Sequence, residues 1–276
     1  MTLRNAIGLP TVGEFGDPLV LVELAVAAEE SGWDGVYLWE HVLYHDPTWP
    51  VANTTVTLAA IAARTRRIRL GGLMTALPRR RVQVVARETA SLDVLSDGRL
   101  VFGAALGSMD EEYRAFGEDP ELRVRAAKLD ESLAVLDGLW SGEPVRYRGA
   151  HLLAEDVTMR PVPVQRPRIP IWCAGRWPTR AGFRRAARWD GALPTFAGYG
   201  RERGAVPVED FAAVVEFLRA ERGSLDGFDV ALEGWSSPGD GAARPYVELG
   251  LTWWIEALGW WRGGVADARE RIAAGP

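Results

Sequence analysis

Cysteine occurs once, as Cys173, and histidine three times, at His41, His45 and His151. That scarcity excludes a disulfide framework and a Cys/His zinc cluster, and it suits a reduced, cytoplasmic setting. No metal site is expected. No apolar run approaches the ~18 residues of a membrane-spanning helix. The opening residues Met1-Thr2-Leu3-Arg4-Asn5 show no basic stretch leading into an apolar core, so a soluble, unprocessed chain is expected. Lysine is limited to Lys128, every other one of the 32 basic residues being arginine. With 37 acidic residues the net charge is −5, which supplies no general attraction toward nucleic acid or an anionic membrane surface. Neither is expected as a partner.

What the chain does have is apolar material, 47% of 276 residues, enough for a large core. Eight short apolar runs recur, at 6–9, 35–39, 68–73, 100–105, 169–174, 191–194, 229–232 and 251–255. Continuous apolar runs separated by helical patterns point to parallel strands buried on both faces. Asp17-Pro18 starts one helix, whose face is Leu21, Leu24, Ala25 and Ala28, and Gly32 stops it. Val82, Val85, Thr89, Leu92 and Leu95 predict a second stripe, and Phe211, Val214, Val215 and Leu218 a third over 207–222. The interval 106–168 breaks the strand spacing. It holds a predicted helix at 126–140 and a proline-rich, strand-like stretch at 151–163, read as an insertion after the fourth strand. An open nucleotide-binding sheet would need G-x-G-x-x-G after its first strand, and Gly8-Leu9-Pro10-Thr11-Val12-Gly13 does not match. The expected fold is therefore an α/β (β/α)8 TIM barrel, a single domain over 1–276, with its site at the strand C-terminal ends.

The residues following each strand carry the candidate chemistry. Trp39-Glu40-His41 places an imidazole where it can exchange a proton near neutral pH, and Glu40 can orient it if the chain turns there. Gly71-Gly72-Leu73-Met74-Thr75 suggests a bulge or a close backbone approach to a ligand. The trio Arg79-Arg80-Arg81 either holds an anion or is a solvated helix entry. Ala174-Gly175-Arg176-Trp177 precedes a helix and could meet a phosphate, with Arg176 or Arg180 adding charge. Cys173 reads as a small buried hydrophobe. The 12 tryptophans include Trp253, Trp254, Trp260 and Trp261, read as core or subunit interface, with Trp39, Trp49, Trp177 or Trp253 as a possible pocket wall for a flat ring. Metalloprotease, P-loop and α/β-hydrolase motifs are missing.

Several segments together resemble one family. They are 88–100 with its Ser96-Asp97-Gly98-Arg99, Glu111-Glu112-Tyr113, Gly32-Trp33-Asp34-Gly35, the proline-rich 160–170, Trp189-Asp190-Gly191 and Thr252-Trp253-Trp254-Ile255-Glu256. In this order they are similar to the luciferase-like monooxygenase superfamily, in its branch dependent on the deazaflavin F420. The resemblance implies a hydride-transferring oxidoreductase with F420 at the C-terminal ends of the barrel strands. It places His41, with Glu40, beside the reacting ring. It places Leu73, Met74 and Thr75 at a strand-three bulge behind that ring, with a non-prolyl cis peptide. Ala105 and Gly107 would follow strand four, and Ala174, Gly175, Arg176 and Trp177 would meet the cofactor phosphate. The sequence departs from the family pattern with Glu40 in place of an aspartate, with alanine where a second glycine is frequent in Gly103-Ala104-Ala105-Leu106-Gly107, and with Ala174-Gly175 in place of two glycines.

The expected reaction moves a hydride between F420 and a small organic substrate. The alternatives are an FMN-dependent monooxygenase served by a separate reductase, and a non-catalytic barrel that binds cofactor or partner only. A homodimer is expected. The loops 46–53, 196–206 and 236–244 are expected to set the substrate.

Overall fold

The computed structural model describes residues 2–198 and 206–276; of the predicted substrate loops, 199–205 lies outside the described residues. Strand β1 (Arg4–Leu9) leads to helix α1 (Pro18–Glu30), where the Asp17 carboxylate caps by accepting from the Leu19 N–H at 2.8 Å and Pro18 occupies the first turn. The predicted face of Leu21, Leu24, Ala25 and Ala28 is buried. Next come β2 (Gly35–Leu38), α2 (Thr54–Arg64), β3 (Arg69–Gly72), the two-residue β4 (Thr75–Ala76), α3 (Val82–Leu95) and β5 (Leu100–Ala105). On α3 the stripe from Val82 to Leu92 is buried, whereas Leu95 in the last turn is turned out to solvent, a departure from the predicted face.

After the short α4 (Glu111–Arg114), α5 (Leu122–Ser141) packs on α3 and takes the place of the fourth barrel helix. What is inserted beyond that helix is a two-stranded antiparallel hairpin, β6 (Val145–Arg148) with β7 (Leu153–Val157). The second half runs β8 (Ile171–Trp177), α6 (Ala181–Ala186), β9 (Gly191–Phe196), α7 (Val208–Arg222), β10 (Asp229–Gly234), α8 (Arg244–Val247), β11 (Trp253–Ala257) and α9 (Val265–Ala273).

Parallel pairing runs β3-β2-β1-β11-β10-β9-β8-β5, and β5 closes the circle on β3 through Leu70 opposite Leu100. The eight predicted runs are the eight strands of this closed barrel. Among the described residues no helix is long and apolar enough to cross a membrane.

Candidate active site

Alternation along each strand sends every second side chain into the barrel. Tyr37, Trp172 and Trp253 meet there with ring centroids 5.3 to 5.8 Å apart, and the Arg4 guanidinium covers Trp253 from the strand N-terminal end at 4.4 Å. These rings plug the lower barrel. Further along in the same inward phase, Trp39 and Ala174 two residues on and Ala257 four residues on line a cavity of about 1050 Å³ at the C-terminal end, together with Leu73, Leu193 and Glu233. That volume stands at the upper end of the roughly 300–1,000 Å³ usual for small-molecule sites.

His41 lines this cavity just after β2, and the chain bends immediately after it, at Val42 and Leu43. Its partner, however, is not Glu40. His41 Nδ1 lies 3.3 Å from Glu112 Oε1, the same oxygen that accepts the Val42 N–H at 2.6 Å. Arg79 bridges Glu112 at 2.6 Å and Glu40 at 3.0 Å; Arg80 carries the chain on from Glu40 at 3.0 Å to Glu88 at 2.6 Å. Burial alone would raise the Glu112 carboxyl, but the His41 hydrogen bond, the Arg79 charge and the Val42 N–H overcome it and hold it at about 2. Glu112 is therefore an ionised acceptor at neutral pH. An acceptor-only partner fixes the imidazole proton on Nδ1 and leaves Nε2 able to take a proton. The arginine trio thus divides: Arg79, with a side chain only 4% exposed, and Arg80 hold anions, but those anions are the chain's own carboxylates.

The expected cis bond lies between Leu73 and Met74. Both residues line the cavity. A Cβ at Gly103 would stand 2.7 Å from Met74 Sδ and 2.2 Å from the Gly72 carbonyl, so the bulge seats on β5 only because residue 103 has no side chain. Thr75 is buried behind the bulge in β4 and does not line the cavity.

Ala105 at the end of β5 and Gly107 just beyond it line the cavity, followed by Arg125, whose guanidinium meets the Gly107 and Pro120 carbonyls and Asp110. On β8, Ala174 and Arg176 also line it, and Arg176 makes no side-chain hydrogen bond or ion pair among the described residues. Gly175 contributes backbone there, while a Cβ on it would meet the Phe183 ring at 2.8 Å; a Cβ on Gly182 would meet Gly175 Cα at 2.7 Å. This pair of glycines lets α6 press onto β8. Trp177, by alternation, points the other way and packs against Phe183 and Phe217, so it is not brought to the cavity with its neighbours.

The profile of luciferase-like monooxygenases matches residues 8–256. The chain belongs to the luciferase-like monooxygenase family. An F420-dependent glucose-6-phosphate dehydrogenase of Gordonia bronchialis is 33% identical over 192 residues, covering 66% of this chain and 55% of that relative. The chain thus spans about half the length of the curated relatives it matches. An F420-dependent secondary alcohol dehydrogenase, solved with an F420-acetone adduct, superposes with TM-score 0.79 at 18% identity over 100% of both chains. The coenzyme F420-dependent tetrahydromethanopterin reductase of Methanopyrus kandleri gives 0.76 at 17% identity, over 99% of this chain and 97% of its own. These two likenesses are of fold.

Within this luciferase-like barrel, sequence reasoning missed Glu112 and Arg79 as partners of the histidine region, and Glu233 on the cavity wall. Glu112 sat in the motif 111–113 that carried the family resemblance, which was the available signal. In the sequence Arg79 is one member of a charge run, and Glu233 has no marker beyond the inward phase of its strand. Trp253 and Trp254 are core, while Trp260 and Trp261 join Trp39, Tyr44 and Trp49 in an aromatic cluster next to His41.

Proposed function

We propose that this chain is an F420-dependent oxidoreductase that moves a hydride between the deazaflavin and a small organic substrate. The observation that carries the reading is the His41–Glu112 pair at the cavity, with the carboxylate ionised and the imidazole turned so that Nε2 can accept a proton. F420 bound there supplies or accepts the hydride at C5 of its ring.

The residues present suit that group. Leu73 and Met74 give the ring an apolar backing, and Ala105 and Ala174 add only a methyl each to the wall. Arg176, which makes no side-chain hydrogen bond or ion pair among the described residues, would hold the anionic tail with a charge-assisted contact, near Gly175 and Thr179. His41 would take the proton from a substrate hydroxyl at Nε2 as the hydride leaves the adjoining carbon, and return it in the reverse direction. Glu40, locked between Arg79 and Arg80, would act on His41 only through that lattice. Two copies of the chain would form a homodimer, for which exposed apolar side chains on the adjacent α1 and α2 offer a contact. The cytoplasmic setting belongs to the same reading.

Equilibrium titration of the purified chain with F420 and with FMN, each followed at its own chromophore, tests the proposal. Tight F420 binding with weak FMN binding is expected. The reverse order would overturn it in favour of an FMN monooxygenase, and binding of neither would overturn it in favour of a barrel without this cofactor.

A further inference from the structure

We propose that Arg125 is a positioning residue for the proton-handling pair: it clasps the segment 107–120 and thereby sets Glu112 against His41. This rests on the oxidoreductase reading above, in which His41 moves the proton, and adds the side chain that keeps its partner in place.

Glu112 has to be fixed at both ends. Its carboxylate is shared among Arg79, the Val42 N–H and His41. Its backbone belongs to α4, a single turn of four residues with irregular chain on either side. One turn does not stand by itself, so side chains must hold it. Tyr113, the next residue, is fully buried and donates its hydroxyl to the Leu106 carbonyl at 2.7 Å. Gly107 makes room for that anchor: at φ +79° it takes the left-handed turn, and a Cβ there would stand 3.0 Å from the Tyr113 hydroxyl.

Arg125 closes the rest of the segment. From the first turn of α5 its guanidinium lies over the Tyr113 ring at 4.2 Å. Nε donates to the Pro120 carbonyl at 2.8 Å and one terminal nitrogen to the Gly107 carbonyl at 3.3 Å, while the other pairs with Asp110. One planar group thus touches the chain before α4, at its cap, within it and after it. The side chain is 1% exposed, whereas Asp110 is half exposed, so the cation is buried beside a counter-ion that water still reaches. No step of proton or hydride transfer uses this charge; what distinguishes it is the span of its contacts. The distance it guards is a sensitive one. At 3.3 Å the His41–Glu112 contact is already at the long end of a hydrogen bond, and displacing α4 by a few tenths of an ångström would break it. Without that acceptor the imidazole is no longer held with its proton on Nδ1.

The test is NMR of the imidazole nitrogens in the purified, cofactor-free chain, isotope-labelled at histidine, at about pH 9, where an ordinary imidazole is neutral. His45 and His151 are exposed and serve as internal references, and His41→Gln assigns the remaining signals. Expected in the parent is one His41 tautomer, with separate signals for a protonated Nδ1 and a bare Nε2. In Arg125→Met these should move most of the way toward the averaged values of the references. Should Arg125→Met fail to fold, Arg125→Lys gives the same reading, because an ammonium keeps the charge but cannot span two carbonyls and Asp110 together. In a Glu112→Gln background, removing Arg125 should move His41 no further. An unmoved His41 in the Arg125 variants would overturn the proposal. So would an equal shift in the Glu112→Gln background, which would route the effect around Glu112. F420 titration of the same proteins separates this from the reading beneath it. Loss of F420 affinity with His41 unmoved would make Arg125 a cofactor contact and overturn the positioning role. A parent that binds no F420, yet whose His41 answers to Arg125, would sink the oxidoreductase reading and leave the positioning role standing.

Discussion

Glu112 collects a buried guanidinium, a backbone N–H and an imidazole on one carboxylate with a side chain 1% exposed. Replacing it by glutamine leaves Arg79 short of one counter-charge and removes the acceptor-only character that sets the His41 tautomer. Glu112→Gln is expected to lose on the order of 10²-fold in kcat, within the range of a general acid–base contribution, with F420 affinity little changed. Steady-state kinetics beside cofactor titration separates this from general loosening, which would weaken both. The same substitution should cost about 3 kcal/mol, as breaking a buried pair does. Because folding lowers the Glu112 carboxyl from 4.5 to about 2, its stabilisation is complete above pH 4.5 and fades as the pH falls toward 2. Thermal melts of the two proteins should converge over that window; a constant gap would refute the assignment. His41 was legible from its place after a strand. Its partner was not, since it lies 71 residues away and sequence proximity favoured Glu40. Cys173 behaves as composition implies, with burial pushing its thiol up to about 12.

At the scale of elements, legibility followed burial. Each barrel strand is covered on both faces, which writes a continuous apolar run into the sequence. The short β4, α4 and α8 are two to four residues long and leave no period to detect. Residues 174–177 show a further limit: the segment was read as one ligand loop, yet it continues β8, so the alternation divides it and turns Trp177 outward. The α6–β8 contact is a close helix-to-strand approach, in which a Cβ on Gly182 would stand 2.7 Å from Gly175 Cα. Gly182→Ala gains helix propensity of about 1 kcal/mol but must push α6 off the strand, an overpacking cost of about 1–3 kcal/mol. A net loss of stability and weaker F420 binding are expected, because Thr179, Ala181 and Arg185 of the same segment line the cavity. Denaturant melts and cofactor titration check it. Unchanged values in both would show that the contact relaxes freely.

Across the whole molecule, the aromatic plug of Tyr37, Trp172 and Trp253 keeps ligand chemistry at one end of the barrel. The eight-strand circle was readable from run count and spacing. Which side chains share the cavity wall was not, because that depends on which strands become neighbours when the sheet closes. The outer surface carries one further expectation. Leu19 on α1 and Val56 on α2 are 71% and 66% exposed on adjacent helices. Light scattering at micromolar concentration should report twice the mass of the 276-residue chain, and Leu19→Glu with Val56→Glu should shift it to one copy. A single-copy mass for the parent protein would remove these helices as the contact.

The ladder Glu112–Arg79–Glu40–Arg80–Glu88 joins segments that follow three successive barrel strands. Altering any rung strands a charge on the next, so the rungs do not contribute separately. For a lineage accumulating change one residue at a time, the five positions are a single inherited trait. Change in the cavity is therefore expected to spare this proton-handling corner and to fall on lining residues outside the ladder, such as Leu193 and Thr195.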